Sequence, residues 1–235
     1  MDRTLYEFLY RYWFRTEIEG VEHVPSEGGA LLVANHGGAA PTGGPMIAKA
    51  LKESGHQLRP LHLLTDPPLQ GFPGLGMLFT KLGAVPDHPD NVHRLLFDER
   101  QLVLAVPERA QAAGKAVGER YRVRSFERGA FVRAAVRAGT PIVPIAVLGP
   151  QEASPLFGRV DPLRRLTRLP RVPLSTGFPL PAKFRIRFLA PVGTSELSRV
   201  ATDGAAVQAL AEEVRSIIQA NLLQMTAGRR SVWLG

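Results

Sequence analysis

Of all the side chains able to do chemistry, His36 has the most telling surroundings. It follows the apolar run Ala30-Leu31-Leu32-Val33-Ala34 and stands in the stretch Asn35-His36-Gly37-Gly38. In open α/β sheets ligands collect at the carboxyl ends of strands, and consecutive glycines let a substrate approach the backbone closely. A neutral imidazole there can take a proton from an alcohol near neutral pH. From position alone, a loop histidine that only caps a backbone group is the commoner case, because most histidines are not catalytic. The decision rests on what stands at the neighbouring strand ends.

Three further stretches answer that. Val106-Pro107-Glu108-Arg109 closes another apolar run and leads into a loop of glycine and charge, Gly114-Lys115 through Arg120, Arg122, Arg124 and Arg128. Pro141-Ile142-Val143-Pro144 opens a further strand, and Gly83-Ala84-Val85-Pro86 precedes a helix. The Lys115 to Arg124 charges fit either a phosphate or acidic carrier group, or a solvated loop. His56 with His62 and His88 with His93 are spaced wrongly for one helical face and lack nearby carboxylate pairs, so no metal is expected. There is no glycine-rich phosphate loop. The absence of cysteine excludes disulfides, thiolate metal sites and thiol catalysis.

These residues need a scaffold, and the hydrophobic periodicity predicts one. Strands are expected at Thr16 to Glu22, Ala30 to Ala34, Leu58 to Leu64, Gln101 to Val106 and Ile142 to Leu148, with helices at Pro45 to Lys52, Pro89 to Leu96 and Phe126 to Ala138. Runs such as Leu102-Val103-Leu104-Ala105-Val106 are apolar throughout, as strands are when helices cover both faces of a largely parallel sheet. The fold class is therefore α/β, one layered domain over residues 1–235.

Two regions depart from the alternation. Thr4 to Phe14 reads as an amphipathic helix with Leu5, Phe8, Leu9, Tyr12 and Trp13 on one face, widened by Tyr6, Tyr10 and Phe14, and a charged stripe of Arg3, Glu7, Arg11 and Arg15 opposite. That face suits either the headgroup level of a bilayer or the protein core. Residues 149–182 form a basic insertion with seven prolines, which resist both helix and central strand, although Asp161 to Arg168 fits a short helix. Beyond it, Lys183 to Leu189 alternates as a strand. Thr202 or Asp203 caps a closing helix whose face is Val207, Leu210, Ala211, Val214, Ile217 and Ile218.

The net charge is +8, and Arg159 to Arg187 alone carries +7, from Arg159, Arg164, Arg165, Arg168, Arg171, Lys183, Arg185 and Arg187 against Asp161. Such a balance implies an anionic partner. Nucleic acid is not expected, because no helix-turn-helix, zinc or RNA-platform signature accompanies the charge. Anionic lipid suits the basic Pro/Leu segment from Arg159 to Pro173; otherwise that segment is a lid. No apolar run approaches the ~18 residues that cross a bilayer, and the aromatic, charged N-terminus is unlike a secretory signal. The expected location is cytoplasmic, peripheral on the inner face of the membrane.

In their order and separations, the four strand-end stretches resemble the motif blocks of the glycerolipid acyltransferases, the family that includes 1-acylglycerol-3-phosphate acyltransferases. The first block, a His followed by an Asp, is similar to Asn35-His36-Gly37-Gly38-Ala39-Ala40-Pro41-Thr42-Gly43-Gly44. The third, Phe-Pro-Glu-Gly, is similar to Val106-Pro107-Glu108-Arg109, and the proline-rich fourth to Pro141-Ile142-Val143-Pro144. The likeness runs from about Glu17 to Leu148. Three departures stand out. Thr42 or Gly43 occupies the place of the motif Asp, Arg109 that of the third-block Gly, and the second-block Arg has no clear counterpart.

The resemblance implies a mechanism in which His36 removes a proton from a lysophospholipid hydroxyl, which attacks the thioester of an acyl-CoA or acyl carrier protein. No other cofactor is implied. Asn35, Gly37, Gly38, Thr42, Glu108, Arg109 and Lys115 would then bind substrate, with backbone amides stabilising the oxyanion. The alternative is a catalytically degenerate relative that binds lipid or acyl chains without turnover.

Overall fold

The computed structural model describes residues 7–37, 42–55, 59–65, 83–108, 115, 117–126, 129–160, 172–176, 178–194 and 203–233. Its centre is a seven-stranded sheet. The strands are β1 (Glu17–Glu19), β2 (Ala30–Ala34), β3 (Leu61–Thr65), β4 (Ala84–Pro86), β5 (Leu102–Ala105), β6 (Ile142–Leu148) and β9 (Arg185–Phe188), in the order β1-β9-β6-β2-β5-β3-β4. β6, β2, β5, β3 and β4 run parallel, while β9 lies antiparallel to β6 and carries β1 parallel to itself. The largely parallel α/β class read from the sequence is the class observed.

The continuously apolar strands are explained by what covers them. From β2, Leu31 and Val33 face a layer built on α3 (Ala130–Ala138) and α5 (Gly204–Ala227), whereas Ala30, Leu32 and Ala34 face α1 (Gly43–Glu53) and the N-terminal helix. β5 divides in the same way, with Val103 and Ala105 on one side and Leu102 and Leu104 on the other. Every residue of β2, β5 and β6 is buried. Both faces being dry, neither can carry the polar half of an alternating pattern.

Local chemistry sets most boundaries. Asp203 caps α5 by accepting the N–H of Ala205 at 2.9 Å, and Val207, Leu210, Ala211, Val214 and Ile218 are buried along the expected face, with Ile217 half-buried. α3 begins at Ala130 and not at Phe126, because Gly129 adopts a left-handed φ of 51°. The expected strand from Thr16 to Glu22 is cut to Glu17–Glu19 by Gly20, whose φ is 72° and where a Cβ would lie 2.1 Å from the Phe188 carbonyl oxygen. Pro89 to Leu96 divides into α2 (Pro89–His93) and a π-helical turn, Arg94–Asp98. A two-stranded hairpin, β7 (Leu156–Val160) with β8 (Val172–Ser175), stands apart from the main sheet. Its one proline, Pro173 in β8, is tolerated because a two-stranded ladder leaves each strand an unpaired edge. The short helix expected at Asp161 to Arg168 lies outside the described residues.

The N-terminal helix buries the widened edge of its expected apolar face most deeply, Tyr10 and Phe14, while Leu9 and Trp13 pack partly against the same core. Leu9–Trp13 is π-helical, with Phe14 N–H donating to the Leu9 carbonyl at 2.8 Å, and this wider turn sends Tyr10 and Phe14 into the core. Phe14 stacks on Phe184 at 4.2 Å between ring centres. Phe8 and Tyr12 are left exposed. Charges seat the helix on α1, Lys49 pairing with Glu7 at 2.5 Å and Arg11 with Glu53 at 3.1 Å. Part of the basic stretch is likewise paired, Lys183 and Arg185 with Glu17 and Arg187 with Glu19, across the β1–β9 edge. Among the described residues no helix is long and apolar enough to cross a membrane.

Candidate active site

The site is assembled at the carboxyl ends of β2, β5 and β6. Where β2 stops at Ala34, the Asn35 side chain supplies the next rung of the ladder. Its Nδ2 donates to the Val147 carbonyl at 3.0 Å and its Oδ1 accepts the Val147 N–H at 2.8 Å. A side-chain amide has the donor and acceptor of a peptide, so β6 loses no hydrogen bond as β2 turns away.

His36 follows, and protein groups hold its peptide on both sides. The backbone N–H donates to Glu108 Oε2 at 2.8 Å, and the carbonyl accepts from Gln151 Nε2 at 2.9 Å. Nδ1 of the ring is buried and makes no hydrogen bond among the described residues. Burial holds the imidazole below its ordinary pKa of 6.5; the Glu108 charge opposes that shift and the Lys115 charge adds to it. The ring is therefore neutral near pH 7, the form a general base requires.

Glu108, three residues past the end of β5, is only 2% exposed. Lys115 Nζ reaches its two carboxylate oxygens at 2.8 and 2.9 Å, and the Arg124 N–H donates to Oε1. Burial pushes the Lys115 ammonium below its usual pKa range, with Glu108 acting in the opposite direction. The 121–124 segment is tied to α5: Val123 N–H donates to Gln219 Oε1 at 2.7 Å, and Gln219 Nε2 to the Tyr121 carbonyl at 2.9 Å. The long closing helix thus fixes the Arg124 amide that meets Glu108.

The fourth wall is a short helix, α4 (Pro150–Ala153), entered from β6 through Gly149. Two glycines permit its approach. Gly149 has a φ of 116°, and at Gly37 a Cβ would lie 2.3 Å from Pro150 Cβ. α4 also carries Glu152, which is buried and accepts from the Tyr121 hydroxyl at 2.8 Å and from Arg229 Nη1 at 2.5 Å. Burial foremost, with the Glu152 charge behind it, raises the Tyr121 pKa.

The structure thus brings together Asn35, His36, Gly37, Glu108 and Lys115 from the residues singled out in the sequence. Asn35, Glu108 and Lys115 are buried and bonded to protein groups, and Thr42 stands immediately before α1 with its hydroxyl buried. Gly38 and Arg109 lie outside the described residues. Sequence reasoning missed Gln151, Glu152, Tyr121 and Arg229. Their signal was weak: Gly149-Pro150 after an apolar strand marks a helix start at the same sheet end as His36. No cluster of His, Asp or Glu suited to a metal occurs among the described residues.

Residues 15–148 match the model of the acyltransferase family. An uncharacterized protein of Mycobacterium tuberculosis is 36% identical over 243 residues, covering 99% of this chain and 68% of its own length. Phytyl ester synthase 2 of Arabidopsis thaliana chloroplasts is 33% identical over 138 residues, 57% of this chain and 20% of that protein. Among solved structures, the 1-acyl-sn-glycerophosphate acyltransferase of Thermotoga maritima superposes with a TM-score of 0.64 over 97% of this chain and 80% of that one, at 17% identity, a likeness of fold. The chain belongs to the acyltransferase family, and it is an acyltransferase.

Proposed function

We propose that this acyltransferase moves a fatty acyl chain from acyl-CoA or acyl carrier protein to the hydroxyl of a lysophospholipid or related glycerolipid, with His36 as general base. The observation that carries the reading is the His36 geometry: a neutral imidazole at the end of β2, its peptide gripped by Glu108 on one side and Gln151 on the other. The acceptor oxygen attacks the thioester carbonyl carbon, the new C–O bond forms and the C–S bond breaks. The hydroxyl proton passes to His36 and from there to the departing thiolate sulfur. Gly37, having no side chain, lets Pro150 of α4 close against the loop that carries the base. Glu108, Lys115 and Asn35 act from behind, holding the loop that carries the base.

A membrane surface is the proposed place of work, on the cytoplasmic inner face. Phe8, Tyr12 and Phe178 are 45, 68 and 54% exposed, yet their rings are braced: Phe8 packs on Tyr12 and Trp13, and Trp13 meets Phe178 edge-on at 5.6 Å. Trp13 Nε1 donates to the Pro179 carbonyl at 2.9 Å, and Leu180 N–H donates to Ala153 of α4. The aromatic patch is thereby linked to the wall of the site. Rigid, exposed amphipathic rings suit the headgroup level of a bilayer.

The test is transfer of labelled acyl chains from acyl-CoA and from acyl carrier protein to a panel of lysophospholipids, with His36→Ala alongside. Among the described residues no carboxylate meets His36 Nδ1, so the same panel is also read for acyl-ligand binding; binding by the wild type with no transfer would contradict the assignment.

A further inference from the structure

Among the described residues no group meets His36 Nδ1, and this raises a question of charge. In the motif that this sequence resembles, an Asp follows the His, and here that place is taken by Thr42 or Gly43. An imidazole that accepts a proton in a half-buried site needs a negative charge nearby, or the imidazolium is not stabilised. The charged groups around His36 can be followed element by element. α1 begins without an acidic residue in its first turn. α4 brings Glu152, which faces Tyr121 and Arg229. The stretch after β5 brings Glu108 and Lys115, whose charges both act on the His36 ring, Glu108 the more strongly. Around that pair stand Arg124, Glu119 and Arg215.

We propose that Glu108 is a positioning residue that supplies, through space and through the His36 peptide, the negative charge that the motif aspartate would supply to the ring. The geometry fits the task. The Glu108 carboxylate is bonded at 2.8 Å to the N–H of His36 itself. Lys115 and the Arg124 amide fix its orientation, and at 2% exposure no water screens it. Lys115 offsets the cost of burying the carboxylate and removes part of its field. The remainder favours a proton on His36. Glu108 is bonded to the His36 N–H and acts on the ring through space, against the opposing charge of Lys115.

This proposal rests on the reading of His36 as general base, and the experiment separates the two. His36 is titrated by NMR in histidine-labelled protein, its signal among the six histidines assigned with His36→Gln. Glu108→Gln keeps the shape and an acceptor for the His36 N–H while removing the charge. The expected result is a fall of about one unit in the His36 pKa. Because Glu108→Gln leaves Lys115 buried without its partner and can prevent folding, Glu108→Gln/Lys115→Gln is measured as well. There the fall is smaller, about half a unit, since the opposing Lys115 charge is also gone. A carboxylate that merely holds the loop in place would change stability and leave the His36 pKa where it was, and that outcome in both variants overturns the proposal. Wild-type transfer, assayed in parallel, reports on the general-base reading by itself. If transfer is present, turnover of the double variant falls by up to about threefold above the His36 pKa, as half a unit of lost proton affinity allows, with KM little changed.

Discussion

The side-chain amide of Asn35 and the peptide of Val147 exchange two hydrogen bonds, at 3.0 and 2.8 Å, across the point where β2 ends and β6 continues. That exchange decides where His36 stands: one residue beyond a rung that cannot slide without leaving two buried peptide groups unpaired.

Asn35→Ala removes both bonds in a region shielded from water. Each of the two orphaned groups costs ~1–3 kcal/mol, so a loss of about 2–6 kcal/mol is expected in urea unfolding. Asn35→Asp keeps an acceptor for the Val147 N–H but adds a buried charge, and it is expected to be no better than alanine. Wild-type stability in Asn35→Ala would mean that the rung is dispensable.

The Glu152–Arg229 pair binds α4 to the segment that follows α5. The two side chains are 2% and 5% exposed, and Arg229 also donates to the Lys183 and Val232 carbonyls. Arg229→Ala leaves Glu152 buried beside Tyr121 without its cation, which costs ~3–5 kcal/mol. Glu152→Gln/Arg229→Met removes both charges and is expected to recover much of that loss. Thermal melts of the two variants decide; equal destabilisation would mean that packing, and not charge, holds α4 down.

Stability should also depend on pH through His36. Its folded pKa lies below 6.5 because burial disfavours the charged form. The unfolded chain therefore binds a proton that the folded chain refuses, in the window from 6.5 down to the folded value. Stability falls as pH is lowered through that window and is flat above it as far as this residue is concerned. His62 shifts in the same direction, also by burial. Urea midpoints measured between pH 7.5 and 5 should show a gentler decline in His36→Gln than in the wild type. Identical slopes would contradict a buried, neutral imidazole.

The aromatic patch makes a separable prediction. Serine at Phe8, Tyr12 and Phe178 together removes exposed rings, leaving Tyr10 and Phe14 in the core. Affinity for anionic phospholipid vesicles should drop by at least about tenfold for each ring that enters the bilayer, on ~1.5 kcal/mol or more of lost burial apiece, with the melting temperature little changed. Vesicle sedimentation that shows equal binding by the triple variant would move the membrane contact elsewhere.

How far the sequence reached can be traced residue by residue. The α/β class was legible because β2, β5 and β6 are apolar at every position, which only a sheet covered on both faces requires. His36 was legible because such a strand ends beside it. Which edge of the N-terminal helix is buried most deeply was not, since a 3.6-residue template cannot anticipate the π-helical turn that sends Tyr10 and Phe14 inward. The β7–β8 hairpin was hidden by Pro173 within β8 and by Pro155 and Pro170 beside the strands in sequence. The partners of Glu108 were out of reach for a different reason: the bond to His36 spans 72 residues and depends on tertiary placement alone. Gln151, Glu152 and Arg229 carry no spacing signature, and their roles emerge only when α4 is packed against Gly37.

The central claim is that His36 is the base of an acyl transfer, and the most direct measurement is single-turnover transfer of a labelled acyl group from acyl-CoA to lysophosphatidate as a function of pH. The wild type should transfer, with an acid limb whose midpoint lies below 6.5, and His36→Ala should lose about 10³-fold or more in rate while retaining its fold. Transfer by His36→Ala at the wild-type rate would contradict the claim.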